Sequence, residues 1–426
     1  SLHDALPICS YDASKHTTSW NVNVKKSDMN NELRVLDLLV YGTTFSKDDS
    51  YTVESNEKDR DLSDVSLDDI KALAPGFNQR YMENSFVSGE AGNLKLTLHH
   101  IKKGDQVVAD LLVITGADGQ GIGVNDKDQS FTFKTQVTNP DIYMSNTASA
   151  SVANTAALFS ANQKVNQAAA SVKCPNTILS KDALNAVDGT KDLSIAANVN
   201  KSAAAADKIY NYKDGSAVFR IQVNASDIQD ITKDLTCVYG QTLGNVTIKD
   251  VLPEGWVFQD IIKDKKFLIY EGTVNNGKLI ANTYIENPDF VQSDFKEIGK
   301  AQFTFTSLTN PYVILVKAGP DKQHATQYFD KNQTLTETNN VAFTADRMPN
   351  KKSDKQNIKI NCTAISKTGI RPEDGILEWK ITYNPYMQKY ENSTIKDTLS
   401  QGLDLRIKAD GTLDMDGISI YEMEMN

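Results

Sequence analysis

The side chains able to do chemistry are sparse in this sequence, and their spacing argues against most familiar sites. His99 and His100 form an adjacent histidine pair. Alternation along an extended strand sends their imidazoles to opposite faces, so they are not expected to share a metal. The run GADGQGIGVNDKDQ at 116–129 gathers glycine and aspartate. It lacks the ligand spacing of a calcium loop and leads into a strand-like run rather than a helix, so a tight turn is predicted there instead of a calcium or phosphate site. KADGTLDMDG at 408–417 places Asp-Gly twice between strand-like runs, which reads as hairpin turns. Of the four cysteines, Cys9 belongs to the opening stretch set aside below; Cys174, Cys237 and Cys362 are odd in number, far apart and without a C-x-x-C pair. They form neither a disulfide framework nor a zinc site, and buried thiols are expected. There is no Gly-x-Ser-x-Gly, no His-Glu-x-x-His and no supported carboxylate pair. Nothing here argues for turnover, and neither a cofactor nor a metal is expected.

Composition narrows the classes further. The formal net charge is −10, and without a Lys/Arg cluster this opposes a nucleic-acid partner. No apolar run approaches the roughly 18 residues needed to cross a bilayer as a helix. A length of 426 residues suggests about two to three domains, each able to bury a core. The opening stretch, SLHDALPIC, has neither the basic start nor the apolar run of a secretory signal. Over Ser1–Ile8 it resembles a translated sequencing adaptor, whose last base would begin the Cys9 codon. Residues 1–9 are therefore read as an assembly scar, with the native N-terminus expected to be missing.

The elements that must position any site read as strands. SWNVNV, FTFKTQV, AVFRIQVNA, KAQFTFTSL and LEWKITYN each alternate apolar and polar residues, the period that buries one face of a sheet. One short helix is predicted in SLDDIKALAPGF, where Ser66 and Asp69 make a capping-box start and Pro75-Gly76 a stop. The Ala-rich run at 149–172 is read as strand because it aligns with a strand-like partner further on.

Internal repetition sets the organisation. An aromatic-led strand recurs at Trp20–Val24, Phe219–Asn224 and Trp379–Asn384, followed by Asp-x-Leu at Asp37, Asp250 and Asp397. FTFKTQVTNP from Phe131 is paired with FTFTSLTNP from Phe303, and NTAALF from Asn154 with NVAFTA from Asn340. Two units, about 10–175 and 176–363, are predicted, with the first half of a third over 364–426. The expected fold is all-β, a tandem series of immunoglobulin-like β-sandwich domains with loop insertions and one short helix.

ILEWKITYNPYMQKYENSTIKDTLSQGLDL and VTIKDVLPEGWVF resemble the isopeptide-forming domains of Gram-positive fimbrial proteins and collagen-binding-type adhesins. The resemblance implies a secreted, wall-attached surface protein of a Gram-positive bacterium. In that family many such domains carry a spontaneous Lys–Asn amide cross-link, promoted by an Asp or Glu, and the resemblance implies the same here. Burial makes a lysine amine neutral and nucleophilic, and a carboxyl group in the same core can shuttle protons as ammonia leaves. Carried onto this sequence, the resemblance assigns Lys201, Asp250 and Asn340 in unit two, with Lys208 and Lys213 as competing lysines. In unit three it assigns Lys367 and Asp397, the Asn partner lying beyond the end of the sequence. In unit one it assigns Lys15, Asp37 and Asn154, with Asn146 as a rival.

The implied role is structural and adhesive, as a fimbrial subunit or the stalk of an anchored adhesin. Implied partners are the cell wall and other pilus or adhesin subunits. The alternative is a ligand-binding adhesin that recognises a host matrix protein or glycan through the long stretch between Asp37 and Phe131.

Overall fold

The period-two runs become strands in the computed structural model. It describes residues 10–422 apart from 14, 16, 26–31, 41–51, 56–83, 91–93, 117–120, 123–127, 138–141, 143, 147–149, 161–162, 229–242, 349, 386–391, 413 and 415–417. Unit one contains β1 (Ser10–Asp12), β2 (Thr17–Val24), β3 (Leu33–Val40), β4 (Thr52–Ser55), β5 (Asn84–Glu90), β6 (Leu94–Lys103), β7 (Gln106–Gly116), β8 (Gln129–Val137), β9 (Ser151–Ser160) and β10 (Gln163–Lys173). These strands form two sheets, ordered β1-β2-β8-β5 and β10-β9-β3-β7-β6-β4. The Ala-rich run is strand, as predicted, folding back on itself as β9 and β10.

Unit two contains β11 (Leu179–Ala183), β12 (Ala217–Val223), β13 (Val246–Val251), β14 (Trp256–Gln259), β15 (Phe267–Asn275), β16 (Lys278–Ile285), β17 (Val291–Asp294), β18 (Lys300–Phe305), β19 (Tyr312–Pro320), β20 (Thr334–Ala345) and β21 (Lys352–Asn361). One sheet runs β11-β12-β19-β15-β16, with β14 also paired to β19, and the other runs β17-β18-β13-β20-β21. Phe219 and Ile221 from the first sheet share a buried core with Ile248, Phe303, Phe305, Val341 and Phe343 from the second. Burying each such side chain contributes about 1.5–3 kcal/mol, so the two inner faces hold the layers together as a β-sandwich. A final hairpin joins β22 (Ile365–Glu373) to β23 (Ile376–Tyr383).

The helix predicted from Ser66 lies outside the described residues. The described residues include the α-helices α1 (Ala196–Val199), in the excursion between β11 and β12, and α2 (Lys322–Tyr328), between β19 and β20, with short 3-10 turns at Asp188–Thr190 and Ala206–Lys208. The Asp321 side chain caps α2 by accepting from the His324 backbone N–H at 2.9 Å.

The topology corrects one repeat pairing. β8, which carries FTFKTQV, lies beside β2, whereas β18, which carries the FTF of FTFTSLTNP, lies beside β13 in the opposite type of sheet. By position the counterpart of β8 is β19, and that of β18 is β7. Alternation reports that one face of a strand is buried; it does not report which sheet the strand joins.

Candidate cross-linking site

The Asp of the repeat lies on a central strand and points inward. Asp250 on β13 is flanked by Ala301 of β18 and Val341 of β20, and its side chain is fully buried. Facing it across the sandwich is Lys181 of β11, also fully buried, with Nζ 2.9 Å from Asp250 Oδ1. The Lys181 ammonium stands 5.1 Å from the centre of the Phe219 ring, the aromatic that leads the repeated strand. Asn339 of β20 completes the cluster and is fully buried. It lies close enough to temper the Asp250 titration, yet neither Asn339 Nδ2 nor Oδ1 completes a hydrogen bond, and Asp250 Oδ2 is likewise unpaired.

Burial dominates the electrostatics. It pushes the Asp250 carboxyl up and the Lys181 ammonium down, and their mutual attraction offsets each shift only in part. Both directions favour the neutral pair, a carboxylic acid beside a free amine.

Two of the unit-two assignments need correcting. Lys201 is exposed in the excursion between β11 and β12, as are Lys208 and Lys213. What is fixed at Lys201 is its backbone: its carbonyl accepts from Arg220 Nη1 at 2.9 Å. Asn340 is also exposed, because adjacent residues of a strand face opposite sides. It pairs with Val251 and Lys355, while Asn339 shares the inner face with Val341 and Phe343. In their place the structure brings Lys181 and Asn339 to Asp250.

In unit one, Asp37 and Asn154 do meet. Asn154 Nδ2 donates to Asp37 Oδ2 at 2.8 Å, and Asp37 Oδ1 has no partner. Burial lifts the Asp37 carboxyl to about 8 against the opposing Asn154 hydrogen bond. Asp37 pairs with Ala156 and Asp250 with Val341, so Asn154 and Asn339 both lie two residues ahead of the aspartate's strand partner. Lys15 is exposed in a turn and does not join them. The rival, Asn146, accepts the Leu179 backbone N–H at 3.0 Å instead. Lys181 lies two residues ahead of Ala183, the partner of Phe219. The described β1–β2 register begins at Ser10, and β1 contains no lysine.

In unit three, Lys367 and Asp397 come together. Nζ stands 2.6 and 2.8 Å from the two carboxylate oxygens and 4.4 Å from the centre of the Trp379 ring. Lys367 pairs with Ile381 as Lys181 pairs with Ile221, so the lysine-over-aromatic arrangement recurs in register. Here the pair is about one-third exposed.

The remaining sequence candidates resolve simply. His99 is buried, and the half-exposed His100 places Nδ1 2.5 Å from Asp110 Oδ1. Residues 408–412 form a turn, in which the Lys408 N–H bonds the Thr412 carbonyl and Gly411 has φ +84°. Most of 116–129 and Cys237 lie outside the described residues. Cys174 and Cys362 are buried free thiols. Among the described residues no group of three or more His, Cys, Asp and Glu side chains gathers to hold a metal. No helix among them is long and apolar enough to cross a membrane.

No protein-family model matches the chain, and no curated protein matches it. Among solved structures it is similar to the C-terminal domain of the AgI/II polypeptide BspA of Streptococcus agalactiae, at 9% identity and a TM-score of 0.29, covering 82% of this chain and 93% of that one. It is also similar to the C-terminal domain of the antigen I/II-family protein AspA of Streptococcus pyogenes, at 8% identity and 0.30, with 82% and 93% covered. A third is the collagen-binding subdomain of the Enterococcus faecalis surface protein ACE, at 12% identity and 0.23, with 34% and 88% covered. Likenesses this distant carry no argument, and the β-sandwich assignment rests on the sheets themselves.

Proposed function

We propose that this chain is part of an adhesive or structural surface protein of a Gram-positive bacterium, built from tandem β-sandwiches. Its second unit is stapled by an amide bond between Lys181 and Asn339. The observation that carries this reading is the buried Lys181–Asp250–Asn339 cluster, which bridges the two sheets and leaves three polar atoms unpaired.

In the proposed step the neutral Lys181 amine attacks Asn339 Cγ. The protonated Asp250 carboxyl hydrogen-bonds the Asn339 carbonyl oxygen and stabilises the charge that develops on it. A proton then passes from Lys181 Nζ by way of Asp250 to Asn339 Nδ2. The Cγ–Nδ2 bond breaks, ammonia departs, and a secondary amide remains. Each lysine reacts once, so this is maturation of the domain and not turnover. The reaction consumes the buried Lys181 amine and the unpaired amide, whose orphan atoms cost about 1–3 kcal/mol each.

A staple from β11 to β20 shields the intervening chain from load applied at the two ends. Single-molecule pulling tests this directly. With the staple in place, stretching should never release the segment from Lys181 to Asn339, about 550 Å of contour at ~3.5 Å per residue. K181M should release all of it, and full release from the unaltered chain would overturn the proposal.

A further inference from the structure

β11 is hydrogen-bonded to a neighbouring strand on one side only, the β12 side. The backbone N–H groups of Leu179 and Lys181 turn to its open edge, where side chains satisfy them. Lys181 N–H donates to Asp354 Oδ2 of β21 at 2.6 Å. Leu179 N–H donates to Asn146 Oδ1 at 3.0 Å, and Asn146 belongs to the preceding unit. The lysine strand of unit two is thus pinned at two points about 7 Å apart, one from its own unit and one from its predecessor.

The joint between units two and three repeats the tie from the predecessor. Asn332 Oδ1 accepts the Ala364 N–H at 3.0 Å, and Asn332 Nδ2 donates to the Ile365 carbonyl at 2.7 Å. Leu179 precedes Lys181 by two residues, as Ile365 precedes Lys367. Asn146 precedes Asn154, and Asn332 precedes Asn339, by a similar short stretch. In both joints the outgoing chain also closes on the same turn: Cys174 N–H bonds the Ala150 carbonyl, and Cys362 N–H bonds the Gln333 carbonyl. One amide side chain therefore ties the turn that feeds the asparagine strand of one unit to the entry of the lysine strand of the next.

We propose that Asn146 and Asn332 are inter-unit positioning residues. Each fixes the first strand of the following unit and thereby presents that unit's lysine to its aspartate. Asn146 belongs by sequence to unit one but acts on the cross-link of unit two. This rests on the proposed Lys181–Asn339 bond, but the tie itself has a separate readout.

The test uses the 426-residue chain, unfolded in denaturant before any bond forms and then refolded. Ammonia loss from unit two is followed by mass spectrometry of a fragment holding both Lys181 and Asn339. Asn146→Ala should slow that loss about ten-fold, the rate equivalent of one hydrogen bond's net contribution. Asn146→Asp keeps the acceptor oxygen and should restore the rate, while Asn332→Ala should leave unit two unaffected. A wild-type rate in Asn146→Ala, or equal slowing in Asn332→Ala, would overturn the positioning role. Hydrogen exchange at the Leu179 amide reads the tie without the reaction. Faster exchange in Asn146→Ala is expected, and unchanged exchange would refute the tie. Should the unaltered chain lose no ammonia while Leu179 still responds, the cross-link reading fails, the positioning role falls with it, and the tie alone stands.

Discussion

Asp37 makes the stability of unit one depend on pH in a direction opposite to that of an ordinary salt-bridged carboxylate. Its carboxyl is fully buried, has one hydrogen bond from Asn154 and titrates at about 8, against an ordinary value near ~3.9 in an unfolded chain. Between those two values the folded unit keeps a proton that the unfolded chain has released. Stability is therefore complete below the unfolded value and declines as pH rises toward the folded one, by about 1.4 kcal/mol per pH unit. Across the window the loss is on the order of 5 kcal/mol, a large share of a typical domain's ~5–15 kcal/mol. Above about pH 8 both states are ionised and the decline stops. Trp20 is buried in unit one and donates to Thr135 Oγ1 at 2.9 Å, so its fluorescence reports unfolding once Trp256 and Trp379 are replaced by Phe. Urea midpoints should fall steadily between about pH 5 and pH 8. Asp37→Asn, which has nothing to ionise, should flatten that slope. A midpoint independent of pH in the parent, or an unchanged slope in Asp37→Asn, would refute the reasoning.

Other substitutions separate the roles of neighbouring residues. Asn339→Ala should abolish the cross-link and Asn340→Ala should spare it, as read by intact mass; the reverse pattern would restore the pairing expected from sequence. Lys181→Met should lower the stability of unit two by about 5 kcal/mol in denaturant unfolding, the entropy of closing a loop of about 160 residues. Gly255 has φ +73°, and an added Cβ would come within 2.2 Å of the His324 ring. Gly255→Ala should therefore cost at least ~1–3 kcal/mol, and an unchanged melting temperature would contradict that packing. Burial lifts the thiols of Cys174 and Cys362 to about 11, so both should resist alkylation at neutral pH until the chain unfolds; rapid labelling of the native chain would count against their burial.

The β-sandwich was legible because alternation is a local property, written into each strand by the inner-face residues. Asp250 and Asp37 were legible for a related reason, since Asp-x-Leu follows a recognisable aromatic-led strand. The lysine was not, because spacing from the aromatic is not preserved: the excursion between Ala183 and Ala217 contains α1 and pushes Lys181 far upstream of Phe219. A signal did exist in LSKDA, where Leu179 and Ala183 flank Lys181 at the period of one face. For the asparagine the error was one residue. Parity with Val341 and Phe343 selects Asn339 over Asn340, and that parity was readable before the structure. The roles of Asn146 and Asn332 were not, because they depend on contacts between units that no period records.

The most direct test of the proposed staple is tryptic mapping of the purified chain by tandem mass spectrometry. A branched peptide joining Lys181 to Asn339 and lighter by one ammonia, with no cleavage after Lys181, is the predicted result. Linear peptides cleaved at Lys181, with Asn339 unmodified, would contradict it.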